Sequence, residues 1–164
     1  MNCNVQQGVF VLIFIIIVIA IFIIDQLSKK YINKKYIEGK PEELVEGKVY
    51  IYNCKNEGAA FGFLKDKPIL LKIASLSSLV SLIYSFISAL AENKSFGDKL
   101  SLSFILGGSL GNLYDRFKKG RVTDFIYIDS KKIKNSPVFN FADVFIAIGT
   151  IIYLLKSIFA KKCN

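Results

Sequence analysis

The stretch FNFADVFIAIGTIIYLL, residues 139–155, decides the fold because it is a long apolar run with a single charged residue, Asp143. Its length is close to the roughly 17–25 residues that a helix needs to cross the hydrocarbon core of a bilayer. Three similar runs precede it: one ends at Ile24, one covers residues 73–91 and one covers residues 100–114. The pattern indicates a helical membrane protein.

Composition agrees with this class. Hydrophobic residues make up 52% of the 164 residues and the mean hydropathy is +0.42, which is too apolar for a small soluble domain. Ser95 is followed three residues later by Asp98, a pattern typical of a helix start, so the third run extends to spanning length. We expect one all-α integral-membrane domain, residues 1–164, with four transmembrane helices near residues 8–24, 69–91, 96–114 and 138–157.

The connection between the first two runs contains the clearest β signal. Val49-Tyr50-Ile51-Tyr52 is a strand candidate, and Gly58-Ala59-Ala60-Phe61-Gly62 is a turn of small residues. We therefore expect a small β element between helices 1 and 2, lying on the membrane surface.

Several classes of site are excluded or disfavoured by the residue inventory. The chain has no histidine, so Ser-His and Cys-His catalysis and the commonest metal ligand are absent. Cys3, Cys54 and Cys163 form no CxxC pair and, being odd in number, no disulfide framework. We expect no metal and no cofactor, and proton transfer has to use carboxylates, Lys, Tyr or Cys.

The net charge of +9 suggests a membrane surface as the partner. The Lys residues lie in connections between apolar runs and form no RNA- or DNA-binding motif, so we expect phospholipid head groups and no nucleic acid. Counting Lys and Arg gives nine in residues 25–68 and seven in residues 115–138, hence 16 on one face, against five on the other. The positive-inside rule would place the termini outside, but it is weaker for loops that fold as units, and charge alone leaves the orientation open.

Asp143 is the sharpest single feature, because a carboxylate inside a span costs a few kcal/mol on insertion scales. The alternative is an interfacial acid near a helix start, where the helix dipole stabilises it. Asn140 lies three residues earlier on the same helical face, so we expect its NH2 group to orient the Asp143 carboxylate.

The same N-x-x-D spacing recurs at Asn112 and Asp115, followed by Arg116. Asp124 lies between the two motifs, in the strand-like setting Val122-Thr123-Asp124-Phe125-Ile126, although it could also be a solvated loop acid. Because spans alternate in direction, the polar residues at these span ends converge on one face of the membrane. They are Asp25, Asn56, Asn112, Asp115, Asp124, Asn140 and Asp143.

Two carboxylates brought together in a low-dielectric site share a proton. One can then act as base toward water while the other donates to the scissile carbonyl, which is the chemistry of aspartic proteases. This chemistry requires neither histidine nor metal.

Two helix features accompany the acids. Gly107, Gly108 and Gly111 contain a G-x-x-x-G spacing, which indicates close helix packing. Asp25 and Lys29 have the i and i+4 spacing of an ion pair. They either anchor the end of the first helix or contact the substrate.

Five segments in order resemble the motif set of lipoprotein signal peptidases (signal peptidase II), and together they cover nearly the whole chain. The segments are Asp25-Gln26-Leu27-Ser28-Lys29, Asn56-Glu57-Gly58-Ala59-Ala60-Phe61, Gly107-Gly108-Ser109-Leu110-Gly111-Asn112-Leu113-Tyr114-Asp115-Arg116, Val122-Thr123-Asp124-Phe125-Ile126 and Phe139-Asn140-Phe141-Ala142-Asp143. One departure is Thr123, where many members have an apolar residue.

The resemblance implies a four-helix aspartic peptidase of the bacterial cell (inner) membrane, acting as a monomer, with cytoplasmic termini, an extracytoplasmic β element and a site near the outer leaflet. Its catalytic pair falls on Asp124 and Asp143. The implied supporting or substrate-binding residues are Asp25, Lys29, Asn56, Gly58, Asn112, Asp115, Arg116 and Asn140, of which Asn56 and Arg116 would hold the substrate backbone. The implied substrate is a prolipoprotein whose lipobox cysteine carries diacylglycerol, cut on the N-terminal side of that cysteine.

Three alternatives remain from the residues themselves. The first apolar run could be a cleaved signal peptide, but no Lys or Arg precedes it and no A-x-A-like site follows it. A small proton- or ion-coupled transporter also carries intramembrane acids, although such acids tend to lie at the bilayer midplane. A noncatalytic scaffold would explain the glycines but not the paired N-x-x-D motifs.

Overall fold

The computed structural model describes residues 3–59, 63–129 and 136–162. Three sequence features fall outside these residues: the Ala60-Phe61-Gly62 part of the predicted turn, Lys131 from the Lys and Arg count over residues 115–138, and Cys163. The described chain contains four helices, α1 (Cys3–Lys35), α2 (Pro68–Ala91), α3 (Phe96–Lys119) and α4 (Phe141–Lys162).

Helix boundaries follow the local sequence. Pro68 opens α2, where its missing N–H costs nothing. The Ser95 hydroxyl accepts a hydrogen bond from the Asp98 N–H at the start of α3, as the sequence predicted. Gly120, with φ of 73°, ends α3 in the left-handed conformation that favours glycine.

The bounds of three helices differ from the predicted spans. Helix α3 continues to Lys119 instead of ending at residue 114. Helix α1 continues to Lys35 instead of ending at residue 24, so Asp25 and Lys29 lie inside it. Helix α4 begins at Phe141 instead of residue 138, because Val138–Phe139 form a short strand and Asn140 precedes the helix.

The β element is larger than predicted, and the description all-α is corrected accordingly. A four-stranded antiparallel sheet has the order β1 (Pro41–Val45), β2 (Val49–Asn56), β3 (Val122–Ile128) and β4 (Val138–Phe139). The strand predicted at residues 49–52 is confirmed within β2. The sheet joins the connection between α1 and α2 to the connection between α3 and α4.

Helix α3 is the centre of the helical part, since it packs against α1, α2 and α4. Its glycines allow the close approach that the G-x-x-x-G spacing predicted. A Cβ on Gly107 would lie 2.9 Å from Ile21 of α1, and one on Gly108 would lie 2.5 Å from the Ala142 carbonyl oxygen of α4. Gly149, which the sequence analysis did not single out, plays the same part on α4, 2.7 Å from the Ser101 carbonyl oxygen.

Three of the described helical segments are long and apolar enough to cross a membrane: Phe10–Lys35, Pro68–Ala91 and Phe141–Phe159. Large apolar side chains on their outer faces are exposed, for example Ile16, Val80 and Ile151. These three candidate spans, identified by length and composition, overlap three of the four predicted ones. Helix α3, at about 36 Å, is also long enough to span. Its glycine, serine, asparagine and aspartate residues lower its hydropathy, and its crossing of the membrane stays a prediction.

Candidate active site

Buried polar side chains gather where α3 ends, α4 begins and β3 lies against them. Most are fully enclosed, and buried groups of this kind have to be paired. The set contains six of the residues that the sequence analysis singled out: Asp25, Lys29, Asn112, Asp115, Asp124 and Asn140.

Asp143 lies in the first turn of α4 and forms a reciprocal cap with Asn140. The Asp143 backbone N–H donates to Asn140 Oδ1 at 3.0 Å, and the Asn140 backbone N–H donates to Asp143 Oδ2 at 3.0 Å. This is the geometry of a capping box, and the dipole of α4 favours the negative charge there. The carboxylate is therefore held at a helix N-terminus by backbone donors.

The prediction that the Asn140 NH2 group orients Asp143 is wrong. Because the Asn140 side-chain oxygen caps α4, its NH2 group points away and donates to Asp124 Oδ1 at 2.6 Å and Asn112 Oδ1 at 3.1 Å. The amide that donates to Asp143 belongs to Asn112 of α3, at 2.8 Å from Asp143 Oδ1. Asn140 thus contacts both Asp124 and Asp143, through different atoms.

Asp124 lies on β3 and is only 3% exposed, so the alternative of a solvated loop acid is wrong. Its second carboxylate oxygen accepts a hydrogen bond from Asn56 of β2 at 3.0 Å. The Gly58 N–H donates to Asn56 Oδ1 at 2.9 Å, which fixes the Asn56 NH2 group toward Asp124. Burial, followed by repulsion from Asp143, raises the pKa of Asp124 to about 6.

Lys29 joins α1 to α3, and its partner Asp25 extends the contact to α4. Its Nζ lies 2.7 Å from Asp25 Oδ2 and 3.0 Å from Asp115 Oδ2, and it donates to Asn112 Oδ1 at 3.0 Å. Asp25 Oδ1 in turn accepts a hydrogen bond from the Ala142 N–H of α4 at 3.0 Å. The interpretation of Asp25 and Lys29 as a helix-end anchor is therefore wrong. Both residues lie before the end of α1 at Lys35, and both side chains are completely buried.

Arg116 follows Asp115 near the end of α3 and is half-buried. Its guanidinium interacts electrostatically with Asp143, Asp124 and Asp115. Its buried Nε has no hydrogen-bond partner within the part of the chain that the structure describes. Arg116 is therefore a charged donor at the carboxylates that has capacity for a further acceptor.

Sequence reasoning missed several contributors. Lys119 forms an ion pair with Asp115 at 2.6 Å, and its i+4 spacing could have revealed it. Gln26 donates to Asp25 Oδ2 and to the Gly111 carbonyl oxygen, and nothing in its local sequence indicated this role. Within the described residues, no group of three or more Cys, Asp or Glu side chains has the arrangement of a metal site.

The chain is similar to known proteins over most of its length. A family model described as signal peptidase (SPase) II matches residues 17–159. A lipoprotein signal peptidase of Clostridium novyi (strain NT) is 34% identical over 87% of this chain and 97% of its own length. One of Sulfurihydrogenibium sp. (strain YO3AOP1) is 35% identical over 93% of this chain and 94% of its own length.

Two solved structures, each described as a bacterial membrane enzyme, share the fold. The first has a TM-score of 0.81 at 29% identity and covers 92% of this chain and 90% of its own. The second has a TM-score of 0.74 at 28% identity, with 87% of this chain and 90% of its own covered.

Proposed function

We propose that Asp124 and Asp143 are the catalytic pair of this chain, which belongs to the signal peptidase II family. This is a family of bacterial membrane aspartic peptidases that remove signal peptides from prolipoproteins. The observation that carries this proposal is the position of Asn140. It donates to the Asp124 carboxylate through its NH2 group and forms the reciprocal cap with Asp143. One residue thereby ties a strand carboxylate to a helix carboxylate.

The two carboxyl groups have unequal surroundings, which supports a division of roles. Asp143 accepts from the Asn140 backbone N–H and the Asn112 NH2 group at a helix N-terminus, an environment that favours a carboxylate. The pKa of Asp124 is raised to about 6, chiefly by burial. We therefore assign the base to Asp143 and the shared proton to Asp124.

The reaction follows from this assignment. Asp143 removes a proton from water, the water oxygen bonds to the carbonyl carbon, and Asp124 gives its proton to the carbonyl oxygen. When the tetrahedral intermediate collapses, the C–N bond breaks, the departing nitrogen takes the proton from Asp143, and the hydroxyl proton returns to Asp124. Both carboxyl groups end as they began.

The substrate is proposed to be a prolipoprotein with diacylglycerol on its lipobox cysteine, cut on the N-terminal side of that cysteine. Arg116 and Asn56 suit a role in holding the substrate backbone. The Arg116 Nε lacks a partner among the described residues, and Asn56 lies beside Asp124. The apolar outer faces of the helices suit a substrate that is met inside the bilayer.

We also propose that both termini are cytoplasmic and that the site lies near the outer leaflet. We propose in addition that the protein acts as a monomer. The transporter alternative has no support from the comparisons, and the buried acids gather at one end of α3 instead of along its depth.

The test is cleavage of a synthetic peptide with a diacylglyceryl-modified lipobox cysteine by the purified protein in lipid. We expect a product that begins with the modified cysteine, identified by mass spectrometry. The Asp143→Asn variant should fold and yield no product. Cleavage at another bond, or undiminished cleavage by Asp143→Asn, would contradict the proposal.

A further inference from the structure

Behind the proposed catalytic strand lies a second polar group of side chains, here called the Lys55 cluster. It consists of Asn33, Asn53, Lys55 and Thr123. Side chains alternate across a strand, so Thr123 points to the face of β3 opposite to Asp124. The cluster is therefore separate from the carboxylate pair, although Thr123 and Asp124 are consecutive residues of β3.

Lys55 forms hydrogen bonds to all three other members of the cluster. Its Nζ donates to Asn53 Oδ1 at 2.9 Å, to Thr123 Oγ1 at 3.1 Å and to Asn33 Oδ1. These three bonds use all three donors of the ammonium group, so no donor remains for another ligand. Burial lowers the pKa of Lys55, and the nearby charges of Arg121 and Lys119 act in the same direction.

Thr123 is held from two directions. Its hydroxyl oxygen accepts from Lys55, its direct cross-strand partner on β2, and from Asn33 of α1 at 3.2 Å. The residue is 1% exposed, so this hydroxyl depends on the cluster for its partners. A second link runs from Asn53, whose NH2 group donates to the Tyr36 carbonyl oxygen just beyond α1 at 2.9 Å.

The strand pairing around Asp124 is short, although its neighbours on β3 are buried. A register shift between Ile51 and Cys54 interrupts the pairing of β2 with β3, and only three residue pairs follow it on the side of Asp124. On its other edge, among the described residues, β3 pairs with β4 at Ile126 and Tyr127 alone. The segment that carries Asp124 is thus paired on one edge alone, beyond an irregularity in the ladder.

We propose that the Lys55 cluster positions Asp124 for catalysis by fixing β3 to β2 and to the end of α1. The inference rests on the proposed catalytic role of Asp124. Asn33, Lys55 and Thr123 are positioning residues, since they act through the strand and lie on the face away from the carboxylate. The polar residue at position 123 therefore has its own hydrogen-bond partners, Lys55 and Asn33, which hold it beside the site.

The test uses Thr123→Val, which removes the hydroxyl and keeps the branched shape, and Thr123→Ser, which keeps the hydroxyl. We expect Thr123→Val to lower kcat about tenfold with KM changed less than about twofold, because a misplaced catalytic group slows chemistry more than binding. Thr123→Ser should restore most of kcat. Equal kcat in Thr123→Val and the parent protein, or a Thr123→Ser variant as slow as Thr123→Val, would overturn the proposal.

Lys55→Met provides a second arm. Because both residues act through the same contact, Lys55→Met combined with Thr123→Val should be no slower than the slower single variant. Losses that multiply would overturn the proposal. If Thr123→Val fails to fold, Asn33→Ala at an exposed position takes its place. A reduced kcat is then expected and an unchanged one overturns the inference, with the neighbouring exposed Lys34→Ala as matched control.

Asp124→Asn is assayed in parallel. If Asp124→Asn cleaves the peptide normally, the proposed function fails. If Asp124→Asn is inactive while Thr123→Val matches the parent protein, only the positioning role fails.

Discussion

Lys29 is a fully buried cation that two carboxylates, Asp25 and Asp115, neutralise in the interior. Replacing it by methionine leaves these acids enclosed with too little positive charge, a loss that costs about 3–5 kcal/mol for buried pairs. It also removes a donor that fixes Asn112 toward Asp143. We expect Lys29→Met to lower the thermal unfolding midpoint and the cleavage rate together.

The matched control is Lys30→Met, one residue along the same helix and exposed. Its unfolding midpoint, measured in the same detergent, should stay close to that of the parent protein. Equal midpoints for Lys29→Met and Lys30→Met would show that the buried network contributes little.

The titration of Asp124 gives a pH dependence with a defined sign. Because its pKa is raised to about 6, the folded protein keeps this proton at pH values where an unfolded chain has lost it. Stability should therefore fall as pH rises from the ordinary pKa toward about 6. The value of kcat/KM should also fall as pH rises through about 6, since Asp124 loses the proton that the reaction uses.

Asn56→Ala tests whether Asp124 causes this fall of kcat/KM at higher pH, the alkaline limb of the pH profile. Asn56 donates to the Asp124 carboxylate and so lowers its pKa, and its removal should shift the alkaline limb of kcat/KM to higher pH while reducing the rate. If the alkaline limb stays in place or moves to lower pH, a group other than Asp124 causes it.

How far residue spacing predicts contacts is clear at Asn140. The N-x-x-D spacing correctly indicated that Asn140 and Asp143 interact. It could not indicate that Asn140 lies just outside α4, where its side-chain oxygen becomes a cap and its NH2 group turns to Asp124. That depends on where the helix begins, and β4 determines this by pairing with β3 up to Phe139.

At the scale of elements, the contact between α3 and α4 positions the N-terminus of α4. A Cβ on Gly108 would lie 2.5 Å from the backbone oxygen of Ala142, the residue before Asp143. Gly108→Ala must therefore displace the start of α4. We expect a loss of about 1–3 kcal/mol in stability and up to roughly 100-fold in cleavage rate.

Gly97→Ala, in the first turn of the same helix, is the matched control because its Cβ would meet nothing closer than 3.8 Å. It should retain the parent rate and midpoint. A Gly108→Ala variant that behaves like Gly97→Ala would contradict the close helix contact.

The elements themselves were unequally predictable. The long apolar runs indicated the helices, because burial in lipid requires an apolar surface along a whole span. The sheet was only half predicted: the sequence indicated β2 and β3, whereas β4 has only two residues and forms by pairing with β3. The pairing of β2 with β3 joins segments that are distant in sequence. Lys55 had no signal at all, because its partners lie on three different segments.

For the whole molecule, orientation is the open choice between the charge count and the family resemblance. With the proposed orientation, Lys40 lies outside and Lys94 in the cytoplasm. Lys40→Cys should react with an impermeant thiol reagent in intact cells, and Lys94→Cys only after permeabilisation. Both variants are made in a background without Cys3, Cys54 and Cys163 that still cleaves substrate. The reverse labelling pattern would support the Lys and Arg count.

The central claim is that Asp124, and not the buried acid Asp115 of α3, completes the pair with Asp143. Asp115 is held by Lys29 and Lys119, whereas Asp124 shares Asn140 with Asp143. The most direct measurement is the single-turnover cleavage rate of Asp124→Asn and Asp115→Asn, each shown to be folded by its unfolding transition in lipid. We expect no detectable cleavage by Asp124→Asn, because an amide can supply neither a base nor the transferable proton, and reduced but measurable cleavage by Asp115→Asn. Substantial cleavage by Asp124→Asn together with none by Asp115→Asn would contradict the account and transfer the catalytic role to Asp115.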